Sequence, residues 1–415
     1  MTAALASAVL AAAPGVATGA VRVPPGFAVS AYVRGLAQPT AIAFGPDGRL
    51  YVTQNGGVVV AIGASRRPVP FAAGFPVPLG LAWLGRTLYV SRSGGVDSVR
   101  LSGTKAVARR VVVSGLPFEE HQQDNVVVGS DGRLYLGSGS TCDVCQERDP
   151  RSATILSFRP DGSDVRVFAT GLRNPYGLAV QPSTGRLFAS VNGQDKLGNG
   201  EPAEAIVQVR RGRFFGWPRC WPSFAQLRLV GSCAGTTPPV AYLEPHSSAD
   251  GMAFYTGSSF PAAYRGDLFV AEWGEYLSKR HGRKLVRLPF DAHGRPLARR
   301  ATTFATGLVH PLAVAVDPVS GDLLVADWGS GTIYSIRRVT SASATAARRR
   351  ALEQPKPVLE LRHPELEVLH LLVQREAELL QRGLHRGARS LRRADRVTAP
   401  ARREVAHERP RLVAP

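Results

Sequence analysis

Apolar residues in this chain fall in short runs with period-two alternation, separated by turn-forming residues. One phrase recurs. It runs from Gly-Leu or Gly-Phe, through an alternating strand and an Asp-Gly or similar turn, to a second apolar strand. The first copy holds Gly35-Leu36, Ala41-Ile42-Ala43-Phe44, Asp47-Gly48 and Leu50-Tyr51-Val52. Later copies start at Gly74-Phe75, Gly115-Leu116 and Gly171-Leu172, and the last at Gly307-Leu308. A more divergent copy holds Gly251-Met252-Ala253-Phe254 and Gly266-Asp267-Leu268-Phe269-Val270. A unit of this size cannot bury its own faces, whereas radial stacking gives each sheet two neighbours and leaves only short edges. Six copies in order therefore predict an all-β, six-bladed β-propeller over residues 21–339.

The two ends depart from this pattern. Residues 1–20 are apolar and finish in small residues, like a signal peptide, which implies a secreted or periplasmic protein. Residues 340–415 lose the strand alternation and form a basic, low-complexity tail that reads as disordered or partly helical. Leu366, Leu369, Leu372, Val373, Leu379 and Leu380 fall near helical spacing there. No later stretch is long and apolar enough for a membrane span.

Composition narrows the function. The chain has 415 residues, 43 of them Gly and 31 Pro, which fits many turns. Its formal net charge of +19 is scattered, with a good share in the tail, and no zinc finger or basic helix with heptads accompanies it. The reading excludes nucleic acid as a partner. The four cysteines are Cys142, Cys145, Cys220 and Cys233. The simplest pairing in an exported chain is local, Cys142 with Cys145 and Cys220 with Cys233. A Cys-x-x-Cys can also be redox-active or half a metal site, but nothing nearby completes a zinc site. No Gly-x-Gly-x-x-Gly links a strand to a helix, so a nicotinamide cofactor is not expected.

Three segments carry a family resemblance. They are Glu119-Glu120-His121-Gln122-Gln123-Asp124-Asn125, Gly171-Leu172-Arg173-Asn174-Pro175-Tyr176-Gly177-Leu178, and Phe215-Gly216-Trp217-Pro218. In this order they resemble the glucose/sorbosone dehydrogenase family, and the Cys-bearing variant is most similar to its sorbosone-type branch. The resemblance covers residues 22–338. It implies a six-bladed propeller that oxidises an aldose or related sugar, with pyrroloquinoline quinone (PQQ) and Ca2+ as cofactors and a quinone or other carrier as electron acceptor.

The same resemblance implies roles for particular residues. His121 matches the base that takes the hydroxyl proton, a task suited to a group titrating near neutrality. Arg173 matches a contact to the quinone oxygen, where a fixed cation stabilises developing negative charge. Gln122, Asn174 and His246 match further cofactor contacts, the last within Pro245-His246-Ser247-Ser248. Gly193 and Gln194 match the residues whose main-chain carbonyls bind calcium, an ion that takes oxygen ligands. Trp217 and Trp221 are expected to pack between blades.

Departures from the family pattern also stand out. The run Glu204-Ala205-Ile206-Val207 lacks the usual Glu and Asn, and Ser140 stands where a carboxylate would orient the base. Val309-His310-Pro311-Leu312 lacks the arginines expected to hold the cofactor's carboxylates, leaving Lys279, Arg280, Lys284 or Arg287 as substitutes. These departures keep open a non-catalytic propeller that binds sugar or protein, and a calcium-dependent lactonase on a related propeller is a further alternative.

Overall fold

The computed structural model describes residues 20–275 and 280–339. The expected signal-like segment 1–20, except its last residue, and the expected tail 340–415 lie outside the described residues, as does Lys279.

Six four-stranded antiparallel sheets form the blades of a propeller. The innermost strands are Pro39–Phe44, Gly80–Leu84, Gln123–Val128, Leu178–Val180, Ala249–Phe254 and Pro311–Val316, in blades 1 to 6. Each contacts the next, and the sixth contacts the first, so the ring is closed. The described residues contain one short 3-10 turn, Ala262–Tyr264, as their only helical element.

Closure comes from the beginning of the chain. Strand Phe27–Val33 pairs with Thr332–Arg338 and becomes the outermost strand of blade 6. Phe27 then meets Phe260, Phe304 and Tyr264 edge-on, with centroid distances of 4.8, 5.2 and 5.4 Å. Early and late segments thereby share one hydrophobic cluster.

The repeated phrase has a physical basis at the crossovers between blades. Gly35, Gly74, Gly115, Gly171 and Gly307 adopt φ of 76°, 83°, 66°, 73° and 82°, where a side chain would be strained. The residue after each, Leu36, Phe75, Leu116, Leu172 or Leu308, is buried. The crossover from blade 4 to blade 5 lacks this glycine. There His246 and Ser248 take positive φ, 54° and 49°, a strained conformation for non-glycine residues. Blade 4 also carries an inserted hairpin, Cys220–Ser223 with Arg228–Gly231, stapled by a Cys220–Cys233 disulfide. Cys142 pairs with Cys145, so both expected local pairings are present.

Because Phe27 anchors the closing strand of blade 6 on the aromatic residues of blade 5, Phe27→Ala is expected to destabilise the fold by about 3 kcal/mol, the low end for removing a packed aromatic ring. A urea midpoint indistinguishable from wild type would contradict this account of closure.

Candidate active site

Loops that enter the innermost strands, and loops joining the second and third strands of a blade, meet at one end of the propeller. They enclose a cleft of about 600 Å3 lined by His121, Arg173, Asn174, Gly193, His246 and Trp273, among others. Residues from blades 3, 4 and 5 are thus brought together from positions more than a hundred residues apart.

His121 is largely buried and held by Ser140. Its Nδ1 lies 3.1 Å from both the carbonyl oxygen and Oγ of Ser140. The carbonyl can only accept, and Ser140 Oγ already donates to the Cys142 carbonyl at 2.7 Å. Nδ1 must therefore carry the proton, and Nε2 keeps its lone pair. Burial, reinforced by the nearby Arg173 charge, pushes the imidazole pKa down to about 4. The ring is neutral at pH 7. Ser140 thus orients the imidazole through two oxygens without a carboxylate.

Arg173 is 4% exposed. Its Nη2 lies 2.9 Å from Asp195, 3.0 Å from Asp143 and 3.3 Å from Glu120, and its Nε donates to the Asp143 carbonyl at 3.2 Å. The Trp217 indole donates to the same carbonyl at 3.1 Å, so this Trp is packed within the site's wall. The Cys142–Cys145 disulfide closes the short loop that carries Asp143 and begins beside Ser140. One covalent clip therefore steadies a partner of Arg173 and a partner of His121.

The other expected residues divide. Asn174 lines the cleft, and its buried Oδ1 has no hydrogen-bond partner among the described residues. Gly193 lines the cleft and donates its N–H to Glu204 Oε2 at 2.6 Å. Its own carbonyl and that of Gln194 accept no hydrogen bond among the described residues. Gln194 is buried against a small apolar cavity of about 40 Å3 beside the cleft. His246 lines the cleft with Nε2 at 2.9 Å from the Gly198 carbonyl. Gln122 is not brought in: its side chain bonds Ser93 at 2.5 Å and the Val77 carbonyl at 2.8 Å, towards the neighbouring blades.

Several residues in the cleft carried no clear motif. Glu204 is buried in its wall, and burial pushes its carboxyl up to about 7. Trp273 lines the opposite side and stacks on His310 at 3.9 Å, with Trp328 edge-on at 5.8 Å. His310 Nδ1 donates to the Trp273 carbonyl at 3.0 Å and its Nε2 accepts from Arg283 at 3.1 Å. Arg283, which sequence reasoning passed over, thus stands where the arginines of Val309–Leu312 were missed. Two proposed substitutes are engaged elsewhere. Arg287 pairs with Asp267 at 2.6 Å and lies over the Tyr264 ring, and Lys284 sits between Glu244 at 2.6 Å and Glu272 at 3.3 Å.

Comparisons with known proteins agree with this architecture. The sequence profile of the Glucose / Sorbosone dehydrogenase family matches residues 90–305. An uncharacterised protein of Borreliella burgdorferi is 25% identical over 347 residues, which cover 77% of this chain and 91% of that protein. Aldose sugar dehydrogenase YliI of Escherichia coli is 28% identical over 110 residues, 25% of this chain and 28% of that protein. Among solved structures, a calcium structure of a Trichoderma reesei Carbohydrate-Active Enzymes Family AA12 protein superposes with a TM-score of 0.69 at 18% identity, covering 78% of this chain and 98% of the other. The PQQ-bound aldose sugar dehydrogenase of Streptomyces coelicolor superposes with a TM-score of 0.58 at 22% identity, covering 76% of this chain and 99% of the other. With the family profile spanning more than half of the chain, and the closed six-bladed ring carrying its motifs into one cleft, this protein belongs to the glucose/sorbosone dehydrogenase family.

Proposed function

We propose that this protein is an exported quinoprotein that oxidises an aldose or related sugar at a hydroxyl-bearing carbon, with His121 as general base. One observation carries the reading. Ser140 holds His121 as the Nδ1–H tautomer, leaving an unprotonated Nε2 on a residue that lines a sugar-sized cleft. The two disulfides support an oxidising compartment. Among the described residues, no helix is long and apolar enough to cross a membrane.

The residues present fit the cofactor expected from the family. The Asn174 Oδ1 without a partner, the unused carbonyls of Gly193 and Gln194, and the Arg173 cation offer polar groups of suitable kind. Asn174, Arg173 and His246 would hold PQQ, and the two carbonyls would hold its calcium. Bound there, PQQ supplies the acceptor for hydride.

The chain's own groups supply the rest. Nε2 of His121 takes the hydroxyl proton as the carbon loses hydride, which leaves a lactone from a cyclic aldose. Arg173 lines the cleft with its guanidinium held in one place by three carboxylate partners, so its N–H groups are fixed in position beside His121. Trp273, backed by His310, provides a flat apolar wall that limits water at that side.

The direct test is reconstitution of the purified protein with PQQ and Ca2+, followed by dye reduction across a panel of aldoses and polyols. Stoichiometric uptake with sugar-dependent reduction is expected. A folded sample that takes up no PQQ would overturn the reading in favour of a non-catalytic binding propeller. His121→Ala is expected to lower kcat at least about 100-fold, the usual scale for loss of a general base, while PQQ titration stays near wild type. Wild-type turnover in that variant would exclude His121 as base.

The pH profile is a further check. A base with a lowered pKa is unprotonated, and active, from just above that pKa upwards. The acid limb of kcat/KM set by His121 is therefore expected below its usual position near pH 6.5. Arg173→Ala removes a charge that disfavours imidazolium, so the limb should move to higher pH. A limb that stays in place in Arg173→Ala would show that the two groups are not coupled.

A further inference from the structure

Six equivalent residues lie at or just before the start of the innermost strands, around the propeller axis: Thr40, Leu79, Asp124, Tyr176, Asp250 and Leu312. Each stands two positions before the first inward apolar residue of its blade, namely Ile42, Leu81, Val126, Leu178, Met252 and Val314. Three contiguous members, from blades 3, 4 and 5, are Asp, Tyr and Asp. The strand pairing breaks register across this position in four blades, between Pro39 and Ala41, Gln123 and Val126, Ala249 and Met252, and Pro311 and Ala313, and blades 3 and 5 are the two of these that place an aspartate there. Such bulges re-aim a side chain.

These three side chains are buried, Asp124 and Asp250 to 2% exposure and Tyr176 to 7%. Asp124 Oδ2 and the Tyr176 hydroxyl have no hydrogen-bond partner among the described residues, and neither has Asn192 Oδ1. Asn192 belongs to the same group, because its Nδ2 donates to Asp250 Oδ1 at 3.0 Å. Ser248 Oγ also reaches Asp250, at 3.2 Å and 3.3 Å from its two oxygens. Asn192 and Ser248 line the cleft, so the cluster lies just beneath its floor.

Neither aspartate has an ion-pair partner among the described residues. Burial, and the Asp250 charge, act together to disfavour ionisation of Asp124. For Asp250, burial and the Glu204 charge outweigh its two hydrogen bonds. Buried carboxylates are ordinarily paired or bound to a metal. Tyrosine is a poor solution to the problem, since a hydroxyl cannot neutralise charge.

We propose that Asp124, Asp250, Tyr176 and Asn192 form a binding site for one hard divalent cation of the calcium class, separate from the cation that accompanies the cofactor. The donors are all oxygens, from two carboxylates, a phenol and an amide, which matches calcium and excludes the nitrogen and sulfur preference of zinc. Two carboxylates balance a charge of +2, and the cleft above provides water for the remaining coordination positions and a path of entry. Such an ion would tie blades 3, 4 and 5 together directly beneath Asn174 and Gly193.

The test uses the full chain stripped with EDTA and kept free of PQQ, titrated with Ca2+ by calorimetry. One equivalent should bind and raise the Tm. Asp124→Asn/Asp250→Asn should weaken that binding on the order of 100-fold or more, beyond the loss typical of a supporting contact. The same variant should melt in EDTA no lower than wild type, since two buried carboxyls have become neutral amides of the same shape. Tb3+ offers an independent readout, because Tyr176 beside the ion would sensitise its emission, and Tyr176→Phe should lower that signal.

Absence of Ca2+, Mg2+ or Mn2+ uptake by wild-type protein would overturn the proposal. So would unchanged binding in the double variant, or Tb3+ emission undiminished by Tyr176→Phe. The cofactor reading fails separately. A second equivalent of Ca2+ taken up only with PQQ, and retained in the double variant, belongs to the cofactor. Uptake of a single equivalent only in the presence of PQQ would sink the proposed site and leave the quinoprotein intact.

Discussion

Everything at the cleft depends on the antiparallel pairing of Phe27–Val33 with Thr332–Arg338. A propeller blade shields its faces only by packing on two neighbours, and an open ring would leave two blades with one face in water. Once the ring closes, six innermost strands are fixed around one axis, and the loops that lead into them converge at one end. The positions of His121, Arg173 and His246 follow from that closure.

Convergence creates an electrostatic problem, which the loops solve in different ways. Arg173 is nearly inaccessible to water, but three carboxylates from separate loops surround its Nη2. A buried charge is tolerable when paired and hydrogen-bonded, and the arrangement fixes the guanidinium in one place. His121 is handled by neutralisation instead, because Ser140 provides acceptors for one ring nitrogen and burial disfavours the cation. The disulfide Cys142–Cys145 lies between these solutions, since the loop it closes carries Asp143, a partner of Arg173, and begins two residues after Ser140, the partner of His121. A paired charge on Arg173 and a neutral base on His121 then coexist within one wall.

The motifs were legible as motifs because they reflect local constraints. Gly171 precedes Arg173-Asn174 at a crossover that demands positive φ, and Gly216-Trp217-Pro218 fills the wall behind Arg173. Residues contributed by the third strand or by long loops had weaker signals. Glu204 could be read as an acid in a strand, but not as one buried at the cleft, because nothing in Glu204-Ala205-Ile206-Val207 reports that Gly193 sits against it. Arg283 was overlooked for a related reason: its contact with His310 spans 27 positions and two blades. Arg287 showed the converse error. It lies only four residues further along the same stretch, yet it faces Asp267 and Tyr264.

By itself the sequence determined the all-β class, the number of blades and the local disulfide pairing, because each rests on short-range patterns: alternation, glycine at left-handed turns, and cysteines close along the chain. It also marked His121, Arg173 and Asn174 through their neighbours. The tertiary structure decided which polar groups face one another. Ser140 as the partner of His121, the carboxylates around Arg173, and the Asp124–Tyr176–Asp250 arc arise from blades meeting around an axis. Their energies depend on distance and burial, and neither quantity is encoded in the spacing of residues along the chain.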